Sequence, residues 1–296
     1  MTAIRPNYGD LLAPGFREIF FNKFNSYPDE YTKIFNILTS ERQYEDDSSI
    51  SGFGTVPQKN EGEAITYDDP IQGFDKRYTH STFGLGFRVT REMWEDDLYG
   101  KMKKMPKSLG RSFKITIEQD GANVYNRAFT STYAGGDGKE LCATDHPLTG
   151  GGTEQNELTT AADLNATSFE QALIDIAATV DDRGLLLALR PKTLVVTPSN
   201  DWNAAKLLES SLDPESAQNA VNPAKGRLPY MVNHYFANAD DWFILCDDHE
   251  VNWFWRRRPD FEQGNEFDTE DAKFKGTGRW SNGFSEWRGV FGSPGA

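Results

Sequence analysis

Residues able to carry chemistry are few and scattered in this chain. Four histidines, His80, His146, His234 and His249, lie far apart. Asp145-His146-Pro147 sets a carboxylate beside an imidazole, the pair a general base needs. Neighbours along an extended chain project to opposite sides, however, and Pro147 marks a turn. Cys246-Asp247-Asp248-His249-Glu250 offers metal-ligand types but lacks the CxxC or HxxxH spacing that brings ligands onto one ion, and a hairpin turn accounts for it better. No GxGxxG, P-loop or GxSxG motif is present. No catalytic residue, cofactor or metal is therefore expected. Two alternatives stay open: a carboxylate-based hydrolase, because Asp and Glu total 45, and a carbohydrate- or protein-binding module built on Trp253, Trp255, Trp280 and Trp287. A pocket holding two carboxyl groups would favour the first, and an exposed aromatic platform the second.

Composition narrows the classes. The 296 residues suffice for one large domain or two smaller ones. A net charge of -14 argues against a nucleic-acid-binding surface, which needs clustered cations. Arg256-Arg257-Arg258 is a basic run that reads as an intersubunit or solvated face. No apolar run reaches the ~18 residues of a membrane span, and Met1 to Asp10 lacks the features of a signal peptide. Cys142 and Cys246 read as free thiols. The 26 glycines and 13% aromatic content favour a β-rich protein with many turns.

The element around which the chain is organised runs from Thr90 to Phe129. Leu98, Met102, Met105, Leu109, Phe113, Ile117, Val124 and Ala128 recur at helical spacing, with one gap at Asp120 and Gly121. Thr90 suits the N-cap. One kinked helix of roughly 60 Å, or two helices broken at Pro106, both fit. Before it, Phe16, Ile19, Phe20 and Phe24 predict a short amphipathic helix, and Tyr31 to Leu38 an apolar patch. Neither patch builds a core alone, so each must dock on later parts of the chain or on another copy. Glu41 to Ser51 reads as a polar turn or linker. Residues 52–89 predict a long hairpin, with one limb through Val56, Ile65 and Tyr67, a turn at 68–73, and a second limb ending in the alternation Phe83, Leu85, Phe87, Val89. Its first limb carries Glu61, Glu63, Asp68 and Asp69 against Lys59; its second carries Lys76, Arg77 and Arg88 against Asp75. Lys59, Glu61, Glu63, Lys76 and Arg77 are the candidate assembly residues, paired either across the hairpin or between subunits.

Glycines 135, 136, 138 and 150–152 make 130–166 a loop-rich connector. The rest reads as an α/β subdomain. It has a helix capped at Thr167 or Ser168, a strand at 194–196 and a helix over 201–211 with Trp202, Ala205 and Leu208 on one face. Strands at 230–236, 242–245 and 251–255 and a tail strand over 274–291 complete it.

This order of elements resembles the major capsid proteins of tailed bacteriophages with the Hong Kong 97-type fold, and within them the Mu-like major head subunit group. The residues that carry the likeness are Met93-Trp94-Glu95-Asp96-Asp97-Leu98-Tyr99, Ala143-Thr144-Asp145-His146-Pro147-Leu148, and Asn265-Glu266-Phe267-Asp268-Thr269-Glu270 followed by Phe274-Lys275. The resemblance implies an α+β fold: N-terminal arm 1–50, extended hairpin or E-loop 51–89, P-domain with spine helix 90–165, A-domain 166–260, and C-terminal strands 261–296 returning to the P-domain. It implies a structural head protein, without cofactor, that self-assembles through hexamers and pentamers into an icosahedral shell. That shell would enclose double-stranded DNA without specific binding and make no use of a membrane. Portal, scaffold or protease and decoration proteins are the implied partners; the virion is the implied location, with assembly in the host cytoplasm. A spine starting near residue 90 leaves no room for a fused scaffold domain, so a separate scaffold, or none, is expected.

Overall fold

The computed structural model describes residues 8–96, 100–212, 221–266 and 271–296. The first helix, α1 (Tyr8–Phe24), turns Phe16 and Phe20 inward; a 3-10 turn over Tyr31–Lys33 and strand β1 (Asn36–Thr39) come next. Both apolar patches of this segment dock on the same chain. Phe20 meets Phe113 and Phe261, and Phe35 meets Tyr125 and Trp253.

The next strands shift the predicted hairpin by one limb. β2 (Tyr44–Ser51) pairs antiparallel with β3 (Ile71–Thr79), leaving 52–70 as an irregular exposed tip. Glu41 to Ser51 is thus mostly limb rather than linker. The alternating segment β4 (Ser81–Val89) leaves the hairpin and enters a core sheet.

The spine also differs from expectation. Thr90 does cap a helix, accepting from the Met93 amide at 3.3 Å, but that helix, α2 (Arg91–Glu95), has only five residues. Gly100 takes a left-handed φ of 60°, a conformation that glycine adopts without strain. After a 3-10 turn over Lys101–Lys103, the spine α3 (Lys104–Asn126) runs 23 residues, about 35 Å rather than 60. Pro106 lies in its first turn, where no intrahelical donor is lost, so the chain breaks before Pro106 and not at it. Leu98 lies outside the described residues; Leu109, Phe113 and Ile117 are buried as predicted. The gap in the stripe is where α3 meets polar partners: Asp120 accepts from Trp280 Nε1 at 2.7 Å and Asn282 Nδ2 at 2.9 Å. Gly110 lets α1 approach closely, because a Cβ there would sit 2.5 Å from the Phe20 carbonyl oxygen. A buried ion pair, Lys114 with Glu118 at 3.0 Å, holds the chain entering the 3-10 turn: Glu118 accepts from the Glu30 and Tyr31 amides, and Lys114 also reaches Asp29.

The connector holds only the short pair β5 (His146–Pro147) and β6 (Thr153–Glu154). The α/β subdomain begins with α4 (Ala166–Ala178), capped by Asn165 and not by Thr167 or Ser168. Asn165 Oδ1 accepts from the Thr167 and Ser168 amides, while Ser168 closes a capping box. Then come β7 (Pro191–Val196), α5 (Asp201–Glu209), β8 (Tyr230–Val232) and β9 (Trp242–Cys246). On α5 the buried residues are Ala204, Leu207 and Leu208, and Trp202 points outward at 78% exposure, opposite to the predicted face. Two long strands, β10 (Val251–Asn265) and β11 (Ala272–Phe284), return to the spine, and β12 (Val290–Ser293) does not. One sheet runs β1-β10-β11-β4 beneath α3; the other runs β12-β9-β7-β8 in the α/β subdomain. Trp253, Trp255 and Trp280 stack edge and face against each other between the spine and its sheet.

Candidate assembly interface

The two stretches weighed for chemistry hold structural contacts. His146 is fully buried, its Nδ1 2.6 Å from Asp137 Oδ2 and its Nε2 3.0 Å from Asn156 Oδ1, with the ring stacked on Trp287 at 4.2 Å. Asn156 donates in turn to the Leu141, Trp287 and Val290 carbonyls. Asp145 faces away, toward Lys139 Nζ at 2.5 Å. In the Cys246–Glu250 turn, Cys246 points inward with its thiol pushed up to about 12 by burial, while Asp247 pairs outward with Lys192 at 3.5 Å. Among the described residues no group of His, Cys, Asp and Glu is placed to hold a metal ion, and no helix is long and apolar enough to cross a membrane. The four tryptophans of the binding-module alternative are buried, which removes the aromatic platform.

The geometry that stands out is the hairpin. Its base belongs to the subunit. Tyr78 is buried, its hydroxyl 2.6 Å from Ser285 Oγ and its ring against Phe254. Ser285 also donates to Asp47 at 2.5 Å. A register shift between Ser48 and Ile50 is stitched by Ser49 Oγ, which accepts from the Phe74 amide at 2.8 Å and donates to the Phe74 carbonyl at 3.1 Å. Of the five candidate assembly residues, two sit on this base and are paired in cis. Arg77 forks onto Asp46 at 2.6 and 2.8 Å and covers the Tyr44 ring. Lys76 donates to the Ala134 carbonyl at 2.9 Å, and partial burial lowers its pKa. Cross-strand pairing therefore accounts for Arg77.

Lys59, Glu61 and Glu63 lie in the tip and are exposed, Glu63 accepting from Asn60 close by. Around them the tip leaves apolar side chains in water: Phe53, Ile65, Val56 at 95% exposure and Tyr67 at 92%. Burying one such side chain fully contributes about 1.5–3 kcal/mol. The tip is tethered at its neck, where Asp68 Oδ2 accepts from the Gly54 amide at 2.8 Å and Arg183 Nη1 at 2.6 Å, and Arg183 also donates to the Asp69 carbonyl. This clasp joins positions 115 residues apart, and no local pattern signals it. Trp202, Leu212 and Val221 are also exposed, the last two joined by an isolated β-bridge. The core sheet ends at an open edge on β4, where Leu85 is exposed.

Solved structures share this architecture. The capsid of cyanophage P-SCSP1u superposes with a TM-score of 0.57 at 12% identity, over 88% of this chain and 85% of that one. The procapsid of bacteriophage JBD30 gives 0.53 at 13%, over 98% and 76%. A virus-like particle from Pyrococcus furiosus gives 0.53 at 8%, over 95% and 98%. The fold is the Hong Kong 97-type capsid fold. No curated protein matches the chain in sequence. The family described as phage capsid protein matches residues 73–292, most of the chain. The chain belongs to the phage capsid protein family and is a structural, non-enzymatic component of the virion shell.

Proposed function

We propose that many copies of this chain tile a closed icosahedral shell around the double-stranded DNA of a tailed phage, in rings of five and six that close by heterologous contacts. The observation that carries the reading is the hairpin tip, whose apolar side chains are left exposed by the described residues of their own subunit, beyond a paired, anchored base. We assign the E-loop to 44–79 rather than 51–89, the P-domain to the spine with its sheet, and the A-domain to the α/β sheet with α4, α5 and the returning β12. The N-terminal arm then shortens to the segment before β2. Lys59, Glu61 and Glu63 are the charged residues of the tip that face a neighbouring copy; Lys76 and Arg77 hold the base. Within the family we place the chain with the Mu-like head subunits on the motifs around 93, 143 and 265; Asp97 to Tyr99 and Phe267 to Glu270 lie outside the described residues. Portal, decoration and scaffold or protease proteins complete the particle, which assembles in the host cytoplasm. Negative-stain microscopy of the purified chain tests the reading. Closed shells or ring-shaped capsomers are expected; a monodisperse monomer at all concentrations would refute it.

A further inference from the structure

The chain carries 45 acidic and 31 basic residues, yet cations gather at one place on the spine. Lys103, Lys104, Lys107 and Arg111 are all exposed, and the sequence from Lys101 to Ile117 contains no Asp or Glu. Lys107 and Arg111 lie four residues apart on α3, a rise of about 6 Å, and Lys103 caps that helix from the preceding 3-10 turn, four residues before Lys107. None of these four is in an ion pair among the described residues, whereas many other cations are: Arg17, Arg77, Lys114, Arg183 and Arg288 all have acidic partners. The neighbouring helix extends the patch. Lys23, at the end of α1, lies 4.3 Å from the centre of the Tyr27 ring. The Tyr27 phenol is held below its ordinary value by its hydrogen bond to Lys23, then by the charges of Lys23, Arg111 and Lys107, so cations from both helices converge on it.

The patch offers charge and little else. Its apolar neighbours Met102, Pro106 and Leu109 are buried, leaving no groove for an amphipathic helix. Flexible lysines spaced along a straight rod suit a regular array of phosphates, which requires charge and not a shaped pocket. The acidic remainder of the molecule repels a polyanion and confines it to this face.

We propose that the stripe Lys103–Lys107–Arg111, with Lys104 and Lys23 beside it, binds the phosphate backbone of duplex DNA without reading sequence. This face of the spine would then line the inside of the shell. The proposal rests on the reading that the shell encloses DNA. Each subunit contributes a weak contact, and many copies along one duplex make it effective.

The test is fluorescence anisotropy of a labelled random-sequence duplex with the full-length chain, titrated at several salt concentrations. If each of the five cations neutralises one phosphate, log K falls against log salt with a slope of about -4.5. Lys103→Gln/Lys107→Gln/Arg111→Gln should weaken binding at least tenfold at low salt and flatten that slope, while Arg256→Gln/Arg257→Gln/Arg258→Gln should stay within twofold of wild type. All six side chains are exposed, and equal melting temperatures confirm that the variants fold. A wild-type chain that does not bind DNA overturns the proposal. So does a spine variant that binds equally well, or an equal loss in the Arg256–Arg258 variant. Tighter binding of poly-glutamate than of duplex also overturns it, in favour of an acidic polypeptide partner. Microscopy of the same samples separates this from the capsid reading: shells that close while DNA binding is absent sink only this proposal.

Discussion

The wall of tryptophans beneath the spine and the tip of the hairpin use similar residue types to opposite ends. Trp253 and Trp280 are 0% exposed, stacked 5.8 Å apart, and Trp280 also lies flat on Phe83 at 4.1 Å and donates to Asp120. In the tip, Val56, Ile65 and Tyr67 meet no core at all. The first region closes its contacts within one chain, so its apolar area stabilises the fold. The second leaves its apolar area exposed, adding almost nothing to folding, and on the proposed reading it keeps that area for another chain. That reading places folding and assembly on separate residues, and mutations should separate them.

The sharpest break on the folding side is Trp280→Ala. It removes a fully buried ring and leaves the Asp120 carboxylate one donor short, and should cost about 3–5 kcal/mol in denaturant unfolding. A change within ~0.5 kcal/mol would show that the wall is not the core. Gly110→Ala comes next. Its methyl would press on the Phe20 carbonyl and push α1 off the spine, at a cost of about 1–3 kcal/mol by the same measurement. Its effect on assembly should come only from lost stability.

On the other side, Arg183→Ala removes the neck clasp. A partly exposed ion pair of this kind contributes about 0.2–1 kcal/mol, so melting should barely move. Cleavage within 52–70 during limited proteolysis should become several-fold faster. Unchanged cleavage would mean that the clasp does not hold the tip.

The smallest expected effect is on pH dependence. Burial, reinforced by Glu140, pushes the Glu157 carboxyl up to about 7 from 4.5. Between those values the folded chain holds a proton that the unfolded chain has released, so the group makes stability fall as pH rises through that window. Glu157→Gln should raise the melting temperature at pH 8 and leave it nearly unchanged at pH 4. A lower melting temperature at pH 8 would show that the charged carboxylate is favourably bound.

Much of this architecture was legible where one period dominates. The stripe Leu109–Phe113–Ile117 marks α3, and the alternation Phe83–Val89 marks β4, because α3 buries one face and β4 packs Phe83, Phe87 and Val89 of its apolar face against a core, leaving Leu85 exposed. The errors fall where local pattern and tertiary context part. Thr90 is a true cap, but the left-handed Gly100 separates its short helix from the spine, and a single residue of that conformation leaves no periodic trace. The limb Tyr44–Ser51 reads as linker because it is acidic and polar, and the partners of those carboxylates, Ser40 for Glu45, Arg77 for Asp46 and Ser285 for Asp47, appear only in the fold, while Val56, Ile65 and Tyr67 mimic a strand that has no partner among the described residues. Trp202 looks like core by type and is surface by position. At the candidate interface, the charges of the tip could be read from sequence, but the pairing of Arg77 with Asp46 and of Arg183 with Asp68 joins distant positions and needs the fold.

The separation of folding from assembly is tested most directly by removing the tip alone. Replacing residues 52–70 with Asn-Gly closes β2 onto β3 through a two-residue turn suited to their register. Unfolding free energy, sedimentation and electron microscopy are then measured on the same preparation. The account predicts a soluble subunit within ~0.5 kcal/mol of wild type that forms no closed shells. Normal shells would contradict the assembly role of the tip, and a subunit that fails to fold would place the tip in the core.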